Sequence, residues 1–399
     1  MKKTCYTLLL SISAWACQEP TSSNPTHELP TQKMTQRADN WENEFYKTTG
    51  WFGGDGIFSI PLNGKEFVLA GEKDTTLFLF SDSLIKLKGS IKNGEVKSGE
   101  YKMIHNSLGL LQGRGPGNGL AYHWEKDEEG QPLSVFTPDA MPGHEEDYFW
   151  LGDGFVNTAH DSTLYIFAYR VRDIVTDGFF PFEQKNVTIL KVKKGQAFPF
   201  TEHIQIPTEL MYEVPQKFGK TTYGSAILVN TEAAGAPHPD GYIYIYGTVG
   251  YYKDLIVARV LPEAFENLAE WTFWDGATWN PDKYAVKAVT SNTANELSVS
   301  PLPDGRYMLV CQKNGMEPQV DIQMAKSPVG PFYPKKTIWY CEEVDEDKDY
   351  FAYNAKAHPH ISPDGKLLIS YNLNSFDFFK DVLTKAHHYR PRFINLDMD

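Results

Sequence analysis

An all-β fold, a five-bladed β-propeller in a single domain with long loops between its strands, is what this 399-residue chain predicts. Three observations predict it. Five times a short apolar strand opens on a polar residue, turns, and returns as an aromatic or branched strand. The openings are Gly53-Gly54-Asp55-Gly56, Gly152-Asp153-Gly154, Tyr223-Gly224-Ser225, Asn295-Glu296-Leu297 and His358-Pro359-His360, and the return strands begin at Leu77, Leu164, Tyr242, Tyr307 and Leu367. Three of the turns share one phrase, Pro239-Asp240-Gly241, Pro303-Asp304-Gly305 and Pro363-Asp364-Gly365, and Leu62-Asn63-Gly64 resembles them. Such residues suit tight reversals between antiparallel strands. Helical periodicity is scarce, with only Pro262 to Trp271 suggesting a short helix in a connection.

The N-terminus comes first in chain order. Met1-Lys2-Lys3 is basic, Tyr6 to Ser13 is mostly apolar, and Ala14-Trp15-Ala16 sets small residues before Cys17. Residues 1–17 therefore predict a lipoprotein signal peptide in which Cys17 is lipidated, the alternative being an ordinary signal cut near Ala16. Residues 18–45, rich in Pro, Ser, Thr and Gln at their start, predict a flexible tether, and 46–399 the propeller. No later apolar run is long enough to span a bilayer. Attachment to a membrane is then through lipid alone, which places the protein as a bacterial outer-membrane lipoprotein, on the cell surface or the periplasmic side.

Further along, the stretch from Leu84 to Tyr148 is the largest insertion. Its Gly113, Gly115, Gly117 and Gly119 lack a following lysine or helix, so they predict a flexible loop over the mouth and not a phosphate cradle. Asp345, Asp347 and Asp349 imitate a calcium loop, but Tyr350 stands at the required glycine position. Cys311 and Cys341 are the two cysteines left in the body, either bridged or as buried thiols. A net charge of -13 argues against nucleic acid and anionic lipid as partners. A monomer is expected.

A propeller gathers the starts of its innermost strands around one axial mouth, so residues distant in sequence become neighbours. Asp55, Asp153 and Glu296 stand at three of the openings, and Asp82 follows the first return strand in Phe80-Ser81-Asp82-Ser83. Hydrolysis of a glycosidic bond needs one carboxyl group to protonate the leaving oxygen and another to act as base or nucleophile. Asp beside Gly is also common turn chemistry, and strand-capping is an even alternative for any one of these acids. Asp55, Asp82 and Asp153 are the catalytic candidates. Trp51, Trp150 and Tyr223 are candidate stacking platforms for sugar rings, and Asn106 in His105-Asn106-Ser107 a candidate for sugar hydroxyls. Glu296, His358 and His360 complete the expected substrate-binding rim. No cofactor or metal is required, although His358 and His360 alternate along a strand and could hold an axial cation. Arg390 and Arg392 suit ion pairs that close the ring.

Trp51-Phe52-Gly53-Gly54-Asp55-Gly56, Leu62-Asn63-Gly64, Leu77-Phe78-Leu79-Phe80-Ser81-Asp82-Ser83 and His105-Asn106-Ser107 together resemble the opening of secreted five-bladed propellers first catalogued as domains of unknown function. Some relatives of these are endo-acting D-arabinan hydrolases. Leu255 to Val260 continues the resemblance, and Ser327-Pro328-Val329-Gly330-Pro331-Phe332 is similar to a phrase of arabinanase and xylosidase propellers. The resemblance implies a paired catalytic role for Asp55 and Asp82. Ser81-Asp82-Ser83 departs from it, standing where those relatives commonly read Gly-Asp-Thr. Arabinanase-type propellers instead place three acids on successive blades, which implies Asp55, Asp153 and a later acid.

These readings converge on a glycoside hydrolase for a polysaccharide or oligosaccharide, with an arabinan-type furanoside glycan as the implied class. The alternative is a non-catalytic glycan-binding lipoprotein of a polysaccharide-utilisation system. A lyase using His358 and Tyr223 as base and acid is a third.

Overall fold

The computed structural model describes residues 35–176, 180–215 and 219–398. The predicted signal peptide, Cys17 and most of the predicted tether lie outside them. Among the seven sheets of the described residues, five antiparallel ones of four or five strands follow one another along the chain. The first holds Phe58–Pro61, Thr75–Phe80, Ser107–Gln112 and Leu120–His123, and the second Tyr148–Val156, Leu164–Asp173, Phe182–Val192 and Ile204–Pro207. The third runs from Thr221–Asn230 through Tyr242–Val249 and Asp254–Val260 to the short Thr272–Trp274 and Trp279–Asn280. The fourth comprises Leu297–Pro301, Tyr307–Gln312, Gln319–Ala325 and Lys336–Tyr340. The fifth joins Tyr350–Ala357, Lys366–Ser375 and Arg392–Asp397 to Thr35–Arg37, so both ends of the described chain meet in one sheet.

The first strand of each sheet packs against the first strand of the next. The Ser59 hydroxyl and His358 Nδ1, 2.7 Å apart, join the first sheet to the fifth. Second strands are apolar without alternation: Leu77, Phe78, Leu79 and Phe80 are all fully buried. A strand covered on both faces requires this pattern, because each face meets a neighbouring sheet. Separate apolar cores accordingly lie between consecutive sheets, such as Phe58, Ile60, Leu79, Leu151 and Ile166 between the first and second.

The three Pro-Asp-Gly turns form as predicted, with Gly241, Gly305 and Gly365 at φ of 87°, 84° and 68°. Leu62-Asn63-Gly64 also turns, but the chain then wanders through residues 65–74 before Thr75. Pro262 to Trp271 forms two 3₁₀ turns, Pro262–Ala264 and Leu268–Glu270, in place of one helix. Cys311 and Cys341 are buried free thiols.

The large insertion is not a flexible loop over the mouth. Ser107–Gln112 and Leu120–His123 are the first sheet's own third and fourth strands, and Ser83–Lys86 and Tyr101–Ile104 form a small sheet with Gly50–Gly54. Gly113 to Gly119 connects third to fourth strand at the opposite end of the first sheet from Asp82, since Gln112 pairs with Thr75.

Thr35–Arg37 and the helix Asp39–Glu44 lie inside the fold, where the sequence predicts the end of a tether. Trp41 is 2% exposed and stacks on Phe393 with centroids 5.6 Å apart, and Phe45 is fully buried. Arg37 binds Glu343 at 2.8 Å and Glu342 at 2.9 Å, and Arg392 lies 3.7 Å from Glu343, so ion pairs do seal this join. Trp41→Ala is expected to lower stability by about 3–5 kcal/mol, as large-to-small changes at packed aromatics do. A urea titration checks it, and a loss under about 0.5 kcal/mol would mark the segment as peripheral.

Candidate functional site

Asp55 and Asp82 are brought together by a local backbone exchange. Asp55 N–H donates to the Asp82 carbonyl at 3.2 Å, and Ser81 N–H donates to the Asp55 carbonyl at 2.8 Å. Gly56 permits the approach, at φ of 87° and with an imagined Cβ only 2.9 Å from Ser81 N. Glycine there serves close packing of two backbones and not merely a turn. The aspartates, 27 positions apart in the numbering, are thus brought side by side through their backbones.

Their partners differ. Tyr353 donates its hydroxyl to Asp55 Oδ2 at 2.7 Å, and Asn374 Nδ2 in turn donates to the Tyr353 oxygen at 3.3 Å. Burial, followed by the charges of Asp82 and Glu296, pushes the Asp55 carboxyl up to about 8, against the opposing pull of the Tyr353 and Tyr389 hydroxyls. Asp82 Oδ1 instead accepts the Trp150 indole N–H at 3.0 Å and lies 3.0 Å from His105 Nδ1. His105 is held flat against Tyr148, centroids 3.6 Å apart and planes inclined by 13°. An indole N–H can only donate, so Oδ1 of Asp82 is fixed as an acceptor.

Asp153 and Glu296 reach the same interior from other sheets. Asp153 sits in a bulge where register slips between Leu151 and Gly154. Bulges re-aim side chains. Both its oxygens are taken by backbone N–H groups, Gly154 at 2.8 Å and Ile227 of the third sheet at 2.7 Å. Burial is the main cause that lifts its carboxyl to about 7. Glu296 accepts from Asn354 Nδ2 at 3.0 Å and pairs through Oε2 with Lys356. Burial raises the Glu296 carboxyl and the Lys356 charge opposes it. Lys356, 2% exposed, also donates to the Gly56 carbonyl, beside Asp55, and lies over the Phe58 ring at 4.3 Å. Its charge acts on both Glu296 and Asp153.

Several predicted site residues belong elsewhere. Trp51 is 1% exposed and stacks on Tyr122, and Tyr223 is wholly buried in the core between the second and third sheets; neither can face a sugar. Asn106 is also fully buried, its Nδ2 donating to the carbonyls of Phe136 and Phe149 and its Oδ1 accepting from Phe136 N–H, which makes it an internal brace. His358 and His360 do not open the fifth sheet. Its first strand begins at Tyr350, and the two histidines follow that strand's far end, beside a 3₁₀ turn at Pro359–Ile361. His358 is clasped by Ser59 and Ser370, and burial lowers both histidines, His360 to about 3, so they are neutral core groups. His358 has both ring nitrogens engaged, whereas His360 Nε2 is buried without a hydrogen-bond partner, and among the described residues no group of three or more His, Cys, Asp or Glu could hold a metal ion. Of the three aromatic platforms, Trp150 alone reaches the site.

Tyr353, Tyr389 and Lys356 are the partners that sequence reasoning missed. Placing the fifth opening at His358 hid them. The alternation of Asn354 and Lys356 within a mostly apolar strand, continued by His358 just beyond its end, was the available signal, because a strand lysine on a buried face needs a carboxylate partner.

The fold and this acid-lined centre define an all-β protein with few helices and a shared interior site. A domain of unknown function, DUF5005, matches residues 39–398, and the chain belongs to that family. No curated protein sequence matches it. Among solved structures, a candidate hydrolase from Bacteroides ovatus ATCC 8483 superposes with a TM-score of 0.66 at 19% identity, over 90% of this chain and 89% of that one. An exo-β-1,3-galactanase from Phanerochaete chrysosporium, solved with β-1,3-galactotriose, gives 0.49 at 10% identity, over 88% of this chain and 64% of that one. An α-L-arabinofuranosidase from Podospora anserina, in complex with cellotriose, gives 0.43 at 11% identity, over 87% and 96%. The first of these likenesses shows a shared fold.

Proposed function

We propose that this protein is a five-bladed β-propeller glycoside hydrolase acting on a polysaccharide or oligosaccharide. The observation that carries the reading is the side-by-side pair Asp55 and Asp82 with opposite partners. Asp55, buried and crowded by other acids, holds a proton at neutral pH and can give it to the leaving glycosidic oxygen. Asp82, fixed as an acceptor by Trp150 and flanked by His105, serves as the base or nucleophile. Glu296 and Lys356 set the charge around Asp55, and Asp153 ties the second sheet to the third. The five consecutive sheets, joined first strand to first strand and ending on a sheet shared by both chain ends, support the five-blade count. Sharing a fold with the candidate hydrolase from Bacteroides ovatus is consistent with this but assigns no chemistry.

An arabinan-type furanoside glycan is the preferred substrate class on the strength of the Gly-Gly-Asp-Gly and Phe-Ser-Asp-Ser phrases. The leader and Cys17 support a lipid-anchored protein at the bacterial outer membrane, acting as a monomer. Among the described residues no helix is long and apolar enough to cross a membrane.

If Asp55 is the acid, kcat/KM falls as pH rises through about 8, because ionisation removes the proton that must be delivered. A pH–rate profile on a cleaved glycan checks this. An activity that climbs through that range would reverse the two roles.

A further inference from the structure

Two chains of aromatic rings lead away from the carboxylate pair, one on each side. From Asp82 the chain runs through Trp150 to Phe182, centroids 4.6 Å apart, and on to Phe180 at 5.6 Å, which is 47% exposed. From Asp55 it runs through Tyr353 to Phe351 at 5.4 Å and on to Phe376 at 4.7 Å, which is 50% exposed. The first chain belongs to the second sheet and the second to the fifth, and these sheets flank the first, which carries both acids. The arms therefore leave the pair in different directions.

Register places both arms at the mouth. Phe182 pairs with Asp173 at the end where Tyr148 pairs with Val171, and Phe376 directly follows Ser375, the partner of Tyr350. In each arm the ring nearest the acid is anchored by a hydrogen bond, the middle ring is half-buried, and the outermost is open to solvent. Rings used only as core filler would have no reason to continue into water after the acid is fixed, whereas faces of graded exposure beside a reactive pair suit a ligand that is apolar on its ring faces and polar at its edges. Sugar rings have that character.

We infer that Phe180–Phe182–Trp150 and Phe376–Phe351–Tyr353 are two sugar-binding arms that hold a carbohydrate chain on both sides of the bond to be broken. This inference rests on the hydrolase reading and adds to it the length and path of the substrate. Binding along the arms is spent on positioning the scissile bond between Asp55 and Asp82, so shortening the ligand weakens turnover as well as affinity.

The test uses oligosaccharide ladders from dimer to octamer, arabino-, xylo- and galacto-linked, bound by calorimetry to an Asp55→Asn background so that cleavage does not interfere. Phe180→Ala and Phe376→Ala each weaken binding of the longer oligomers by about tenfold while leaving the shortest bound oligomer unchanged, and together they weaken it further. Both positions are exposed, and unaltered melting confirms that the variants fold. Equal affinity for every length in all variants overturns the inference, as does a protein that binds none of the ladders. If the ladders bind as expected but the parent protein cleaves none of them, the arms stand and the hydrolase reading fails.

Discussion

Asp55→Asn is expected to lower hydrolysis by about 10²–10⁴-fold, the usual share of a general acid, and at the same time to make the protein more stable at neutral and alkaline pH. The two effects have one cause. Folding moves this carboxyl from an ordinary value of 3.8 up to about 8, so the folded state binds the proton more tightly than the unfolded chain does. Stability then declines as pH rises across that interval. Asparagine does not titrate, still accepts the Tyr353 hydroxyl, and escapes the decline. Thermal melts of parent and variant at pH 3.5 and pH 8.5 should nearly coincide at the lower value, below the ordinary carboxyl range, and separate at the higher, with the variant above. A residue kept for structure would show the opposite, a variant that melts lower throughout.

Lys356→Met should be the most damaging single change in the interior. It leaves Glu296 buried without its counter-charge, and breaking a buried pair from one side costs about 3–5 kcal/mol. The sign with pH is fixed by the geometry. Burial already raises the Glu296 carboxyl and Lys356 opposes that rise. Without the lysine, Glu296 takes up a proton at higher pH, so the loss is greatest in alkali and is relieved as the solution is acidified. Adding Glu296→Gln removes the stranded charge and should recover much of the stability, a coupling that a double-mutant cycle measures. Activity should not recover in parallel, because the Gly56 carbonyl beside Asp55 has lost its donor. Additive losses in the two single variants would show that the pair is not coupled.

The fivefold strand pattern was legible because it is written in local chemistry: buried second strands such as Leu77 to Phe80, and Pro-Asp-Gly turns whose glycines adopt positive φ. The backbone approach of Asp55 to Asp82 rests on equally local chemistry, glycines around one and small serines around the other. What failed was position along the strand. Gly152-Asp153-Gly154 resembles a strand opening but is a bulge in mid-strand, and His358-Pro359-His360 resembles one but follows a strand that began at Tyr350. Polarity alone cannot tell the two ends of a strand apart, nor a bulge from a start. Trp51, Tyr223 and Asn106 were misread because a large or polar residue near an opening can equally face inward, and only the packing of neighbouring sheets decides it. The N-terminal strand and helix escaped notice because their partners, Ile394 and Phe393, lie at the other end of the chain.

The most direct test of the account is to incubate the protein with a panel of polysaccharides in ¹⁸O-labelled water and analyse the released sugars by mass spectrometry, with Asp55→Asn and Asp82→Asn in parallel. The paired-aspartate mechanism predicts a glycan whose products carry one ¹⁸O at the new reducing end, with release abolished in both variants. Glycans bound but never cleaved, or cleaved equally well by the variants, would contradict it.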